Sequence, residues 1–438
     1  MNRLPLLLAT CLWIGSAEAR AICLPIVCGP PPPILWTWGS GIPPCTGTLQ
    51  ACIDQAAPRD GVEIATEQPI DESISITKSL TLRAAQGLAP AFAANRSITA
   101  LFTGTDTSAS QFIDIEGLAL DEGGIAVTQA ARGPLDVHVV RDTLAASSLF
   151  DGFAIRVETG GNTGVGKLTF DLSSNQIDFP RGIFVATENG AEMSGHVSGN
   201  AITLNAGLEG IIINTGDAKS LSADVIGNRI SGSFTNGIVV SESTDMPVDV
   251  RILDNLVVGQ AGHASDAGAI ALFGNNAILT ATVVNNTVAD GEVGLSAQGN
   301  LAGLVANNIV SGNSAGGLLI DGADALTLPN RNNLVFGNFS DFFTAGAGTV
   351  FDSPHFVGAG DYHVQLDSPN IDHGDSSAVP ADLTTDLDGN PRIQGSRVDI
   401  GSYEAAPEAS DGLASMAGVF ALAALAWARR ASSARLAR

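Results

Sequence analysis

Basic side chains are the first thing this chain has little of. Lys and Arg number 21 against 45 Asp and Glu, a formal net charge of -24 over 438 residues. That charge repels nucleic acid and other polyanions, and no basic cluster offsets it. Aromatic residues are also few, at 5%. All four Trp (Trp13, Trp36, Trp38, Trp427) and both Tyr (Tyr362, Tyr403) lie outside residues 62–350, so that stretch lacks their flat platforms for stacking sugars. The six histidines are dispersed, and none recurs with a carboxylate or a cysteine at ligand spacing. Gly, by contrast, is plentiful at 50 residues, and hydrophobic residues make up 45%. These proportions suit thin coils filled by small and branched side chains.

One stretch recurs, a strand running into Asn-x-Ile or Asn-x-Val. Its clearest copies read SSNQI, SGNAI, IGNRI, LDNLV, VNNTV, ANNIV and RNNLV, which align Asn175, Asn200, Asn228, Asn255, Asn286, Asn308 and Asn333 at gaps of 25, 28, 27, 31, 22 and 25 residues. A period in the twenties that tolerates insertions marks a solenoid, in which each unit buries its apolar face only by stacking on the next. Asn accepts the left-handed backbone of a tight corner, and stacked asparagines can pass amide hydrogen bonds up a ladder. Gly182, Gly210, Gly237, Gly294 and Gly317 each open a second strand, and segments such as 221–226 and 248–253 supply a third. Leucine-rich repeats share the period but need Leu at fixed positions and a helix or tight turn per unit, and neither is present. The reading is therefore all-β, a right-handed parallel β-helix (solenoid) of roughly ten coils over residues 62–350.

Residues 1–21 read as an export signal, with Arg3, an apolar run from Leu4 to Gly15 and the small-x-small site Ala17-Glu18-Ala19. Residues 22–61 form a leader rich in Cys and Pro. Its four cysteines, Cys23, Cys28, Cys45 and Cys52, suggest two disulfides in an oxidising compartment. Three connectivities are open, and Cys23 with Cys28 plus Cys45 with Cys52 is the simplest by proximity. A zinc site is the rival, without C-x-x-C spacing or a nearby His to support it. Leu49, Cys52, Ile53 and Ala56 share one helical face that stops before Pro58, so an N-terminal capping helix is expected to plug the first coil. At the other end, residues 405–438 hold an apolar run from Gly412 to Ala428 followed by Arg429-Arg430, a marginal membrane span with a basic end.

Three family resemblances add to this reading. The stretch Cys45-Thr46-Gly47-Thr48-Leu49-Gln50-Ala51-Cys52-Ile53 resembles the opening of bacterial exported β-helix proteins, with Gln50-Ala51 where that opening has Arg-Glu. Within residues 351–404, three runs resemble the choice-of-anchor Q domain of surface proteins: Asp367-Ser368-Pro369-Asn370-Ile371-Asp372-His373-Gly374-Asp375, Thr385 to Arg392, and Val398 to Glu404. That group resembles pectate-lyase-like β-helices, so the resemblance implies a fold and an exported address more than an activity. Ala406-Pro407-Glu408-Ala409 with the apolar run and terminal arginines resembles the PEP-CTERM class of sorting signals, with Ala409 replacing the usual second Pro. A permanent membrane anchor is the alternative.

Chemistry is sparse in the sequence. Lyases on such a fold need basic residues, yet residues 62–350 carry only Lys78, Lys167, Lys219 and nine scattered arginines. Asn214-Thr215-Gly216-Asp217 resembles the Asn-Thr-Asp-Gly of polygalacturonases with its last two residues exchanged, and a turn explains it equally well. Asp386, Asp388 and Asn390 form an Asp-x-Asp-Gly-Asn run that suits calcium, with Asp382, Asp399 or Glu404 to complete the shell. The alternative is that these aspartates cap turns and that Asp386 or Asp388 pairs with Arg392. The expected role is a non-catalytic, monomeric, exported surface or extracellular protein. Its expected partners are a surface polysaccharide or other extracellular ligand and, through the tail, a membrane. A polysaccharide lyase or hydrolase is the alternative. Cys45, Cys52 and the asparagines are expected to be structural.

Overall fold

The computed structural model describes residues 32–405 apart from 42, 148–150, 162–163, 189, 206–207, 217, 244, 260–267, 321–327 and 342–344. The export signal, Cys23, Cys28 and the sorting tail lie outside the described residues. Short strands rich in Ile, Val and Leu alternate with tight corners, and three strands complete one coil. Gln176–Phe179, Arg181–Ala186 and Glu192–Ser198 form one such coil, and Ala201–Leu204, Glu209–Asn214 and Ser220–Ile226 form the next. Each strand pairs in parallel with its counterpart one coil on, as in Ile177 with Ile202, Ile183 with Ile211 and Val197 with Val225. This is the expected all-β parallel solenoid of about 10 turns.

The short strands stack into a 9-stranded sheet. The other two stacks join into one 20-stranded sheet. Gly268–Val284 and Val293–Ala306 run through both stacks without a break. Their bend falls at the stacked pair Gly274 and Gly299, where a Cβ on Gly299 would sit 2.0 Å from the Gly274 carbonyl oxygen. Only glycine lets two coils approach that closely.

The corner asparagines form the ladder that their spacing suggests. Asn200 Nδ2 donates to Asn228 Oδ1 at 2.9 Å and to Leu172 O at 2.9 Å, while Asn200 Oδ1 accepts from Asn175 N and Nδ2, both at 3.0 Å. The pattern repeats through Asn228, Asn255, Asn286 and Asn308 to Asn333, and all seven are buried. One expectation is corrected here, because the asparagines do not make the bend. The left-handed residue stands one place earlier, at Ser174, Gly199, Gly227, Asp254, Asn285, Asn307 and Asn332, with φ between 51° and 64°. The ladder residue must aim its amide into the coil, so the turn is made just before it.

The ladder also reaches one rung below the recognisable repeats. Thr143 is in register with Gln176, which puts Asp142 in the place of an asparagine. Asp142 N donates to Asn175 Oδ1 at 2.9 Å, and Asp142 Oδ1 accepts from Leu118 N at 2.8 Å. Its Oδ2, where an asparagine carries NH2, is buried and has no partner. Burial pushes this carboxyl up to about 7, because the charged form would lie in a dry interior.

At the N-terminal end the helix Leu49–Gln55 plugs the core with Leu49, Cys52 and Ile53. Thr48 caps it by accepting from Ala51 N at 3.1 Å, and the Glu72 carboxylate accepts from Leu49 N and Gln50 N. Cys45 and Cys52 are joined by a disulfide. No helix among the described residues is long and apolar enough to cross a membrane.

Residues 351–404 run along the flank of the solenoid as a strap, held by the left-handed corner residues themselves. Asp254 receives Arg392 Nη1 at 2.6 Å, Asn285 Nδ2 donates to Asp399 O at 2.8 Å, Asn307 Nδ2 to Asp375 O at 3.1 Å and Asn332 Nδ2 to His373 O at 2.8 Å. The four corners that hold the strap through their side chains thus carry Asp or Asn. Ala378 and Leu383 pack on Leu253, Val284 and Ala306, and Tyr362, Leu387 and Tyr403 pack with Leu256 and Ala289.

Two outcomes test this account. Asn228→Ala should lower stability by about 3 kcal/mol or more in denaturant melts, since each buried partner left unmatched costs roughly 1 to 3 kcal/mol. A variant melting like wild type would remove the ladder from the list of stabilising features. For Asp142, a raised folded value means that stability is full below the unfolded value and declines as pH rises through about 7. Asp142→Asn should therefore match wild type near pH 4 and exceed it on the order of 4 kcal/mol near pH 8. A difference between the two proteins that does not vary with pH would show that Asp142 does not titrate in that range.

Candidate functional site

Strand alternation sends every second side chain of the third stack into the core and the others to solvent. Leu135, Val137 and Val139 point inward, as do Leu168, Phe170 and Leu172, and all six are at most 3% exposed. Their neighbours form two outward rows. Register places Asp136, Thr169, Ser194, Ser222, Asp249 and Thr280 in one row and Asp114, His138, Asp171, His196, Asp224 and Arg251 in the other. The second row alternates acid and base along its whole length.

Its members hold one another. Thr81 Oγ1 donates to Asp114 Oδ2 at 2.8 Å, and His138 Nδ1 lies 2.9 Å from Asp114 Oδ1. His196 Nδ1 lies 3.1 Å from Asp224 Oδ2. Arg251 grips Asp224 through Nε at 2.6 Å and Nη2 at 2.5 Å, then reaches Asp382 of the strap at 2.9 Å and 2.8 Å through Nη1. Two hollows of about 460 and 410 Å³ adjoin on this face and share Ser194 and Ser222. The hydrogen bond to Asp114 raises His138 above the ordinary histidine value, against the opposing effect of burial. The sequence reading missed this row, because it looked for histidine near carboxylate along the chain. A signal was present, since each of the six residues lies four places ahead of a ladder position from 118 to 255.

The proposed calcium residues divide between two tasks. Asp386 closes a turn: its Oδ1 accepts from Asp388 N at 3.1 Å and Asn390 N at 2.7 Å, and its Oδ2 accepts from Glu404 N at 2.9 Å and Asn390 Nδ2 at 3.2 Å. Asp388 instead pairs with Arg229 at 2.8 Å and His363 Nε2 at 2.7 Å. Neither aspartate pairs with Arg392, which corrects that alternative. Arg392 is buried between Asp254 and Glu404 at 2.6 Å and 2.7 Å, and burial pushes both carboxyls up, Glu404 to about 7. His363 has carboxylates at both ring nitrogens, Asp361 at 2.6 Å and Asp388 at 2.7 Å, so it serves as a double donor. Burial opposes its charge, and the bonds to Asp388 and Asp361 overcome that and raise it. Asn214 and Gly216 form a turn, with Gly216 N donating to Asn214 Oδ1 at 3.1 Å, and Asp217 lies outside the described residues.

Among solved structures, pectate lyase Pel9A is similar to this chain at 12% identity, over 85% of this chain and 96% of that one, with a TM-score of 0.36. No family model matches the chain, and no curated protein does. The fold given above rests on its own strand register.

The His138–Asp114 pair has a direct check. The pair stabilises the fold below the unfolded histidine value, and the contribution is lost as pH rises through the raised folded one. Nuclear magnetic resonance titration should place the His138 midpoint above about 6.5, and Asp114→Asn should lower it. A midpoint indifferent to that substitution would show that the two side chains do not pair.

Proposed function

We propose that this chain is an exported, non-catalytic β-helix that binds an extended glycan along its polar face. The carrying observation is the pair of outward rows, each of which presents one polar side chain per coil. Coils repeat about every 4.8 Å, close to the length of one sugar unit in an extended chain, so successive units can meet equivalent partners. The face is open and polar, which suits a long ligand whose hydroxyls both donate and accept hydrogen bonds. A net charge of -24 favours neutral or amino-bearing polysaccharides over polyuronates. Export is supported by the signal-like start and by the surface-protein resemblance of residues 351–404, and the tail supports sorting to the cell surface or anchoring there.

One observation favours a second reading, a polysaccharide-active enzyme. With Nδ1 beside Asp224, His196 turns its other ring nitrogen outward on the same face, where an acid or base could act. A single experiment separates the two readings. The folded chain is offered a panel of neutral, amino and acidic polysaccharides, and both retention and chain cleavage are measured. Binding without cleavage is expected, weakened about tenfold by Asp249→Ala, the size of one lost hydrogen bond to a charged group. Cleavage that disappears in His196→Gln would establish the enzyme reading, and no retention on any polysaccharide would end the glycan reading.

A further inference from the structure

The middle of the acid and base row has the parts of a metal site. Asp171 is in register between His138 and His196, one coil from each. Both histidines carry a carboxylate on Nδ1, and each carboxylate comes from the rung on the far side of Asp171: Asp114 for His138 and Asp224 for His196. In an imidazole ring the two nitrogens face nearly opposite ways. Each Nε2 is therefore turned toward the Asp171 rung. No side-chain hydrogen bond or ion pair joins the Asp171 carboxylate to any described residue.

We infer that His138, Asp171 and His196 bind a divalent first-row transition metal such as zinc. Two imidazoles and one carboxylate are a donor set for such ions and leave coordination positions open. Metal-ligating histidines almost always give their other ring nitrogen to a carboxylate or carbonyl, and here both already do. Calcium and magnesium are poor fits, since they prefer an all-oxygen shell. Among the described residues no three such groups converge closely enough to hold an ion as they stand. Binding must therefore draw the two rings over Asp171, and at 51% and 58% side-chain exposure they have room to swing. The nearest cation, Arg251, is occupied by Asp224 and Asp382. The open positions would take water or the hydroxyls of a sugar lying in the groove, although the site does not depend on the glycan reading.

The test is calorimetric titration of the chelator-stripped full chain with zinc chloride, alongside the absorption spectrum of the cobalt-loaded protein. Wild type should show one saturable site. His138→Gln and His196→Gln should each weaken it at least tenfold, Asp171→Asn should weaken it similarly, and Asp114→Asn should weaken it about tenfold through the outer carboxylate. His363→Gln, in the separate cluster on the strap, should leave it unchanged. The two row histidines are half exposed, so at alkaline pH, where the His138–Asp114 pair no longer contributes, their variants should melt like wild type, which separates loss of a ligand from loss of the fold. Absence of zinc binding by wild type, or equal affinity in the double variant H138Q/H196Q, would overturn the assignment.

Discussion

The structure depends on a buried column of amide hydrogen bonds. Each ladder asparagine is both donor and acceptor, and in a dry interior an unmatched member costs far more than a matched one contributes. The column therefore fixes the vertical position of every coil. Once Asn200 is seated on Asn228, strand register follows in all three stacks, because a slip of one residue would turn every apolar side chain outward. Asp142 shows how strict the requirement is. A carboxyl in that place satisfies Leu118 and Asn175 but leaves one oxygen without a partner, and the group responds by holding its proton up to about 7.

Register carries this order to the surface. Residues that sit four places ahead of each ladder position become neighbours whatever the loop lengths between them, which range over many residues. That is how Asp114, His138, Asp171, His196, Asp224 and Arg251 come to form a continuous row. Their chemistry is mutual. Carboxylates hold imidazoles on one nitrogen and leave the other available, and Arg251 ties the top of the row to the strap through Asp382.

The strap uses the same corners from outside. A left-handed corner needs a residue tolerant of positive φ, and Gly199 and Gly227 meet that need without a side chain. Where the strap lies, Asp254, Asn285, Asn307 and Asn332 keep the bend and add a side chain that reaches outward to Arg392 or to strap backbone. Arg392, Asp254 and Glu404 form the buried centre of this contact. They favour a specific seating over tight apolar packing, since taking such groups out of water offsets much of their attraction.

The sequence by itself determined the solenoid, because its period is written in residues that must all meet one physical requirement, the buried amide of the ladder. It also determined the plug, since Leu49, Cys52, Ile53 and Ala56 keep helical spacing however the rest folds. It did not show which residue bends the corner, since a left-handed backbone and a buried amide both select Asn. It did not show that Asp142 belongs to the ladder, because an aspartate looks like surface until its burial is known. The row on the third stack and the course of the strap were decided by tertiary structure alone. Both join residues far apart in the chain, and those distances become contacts only when the coils lie in register.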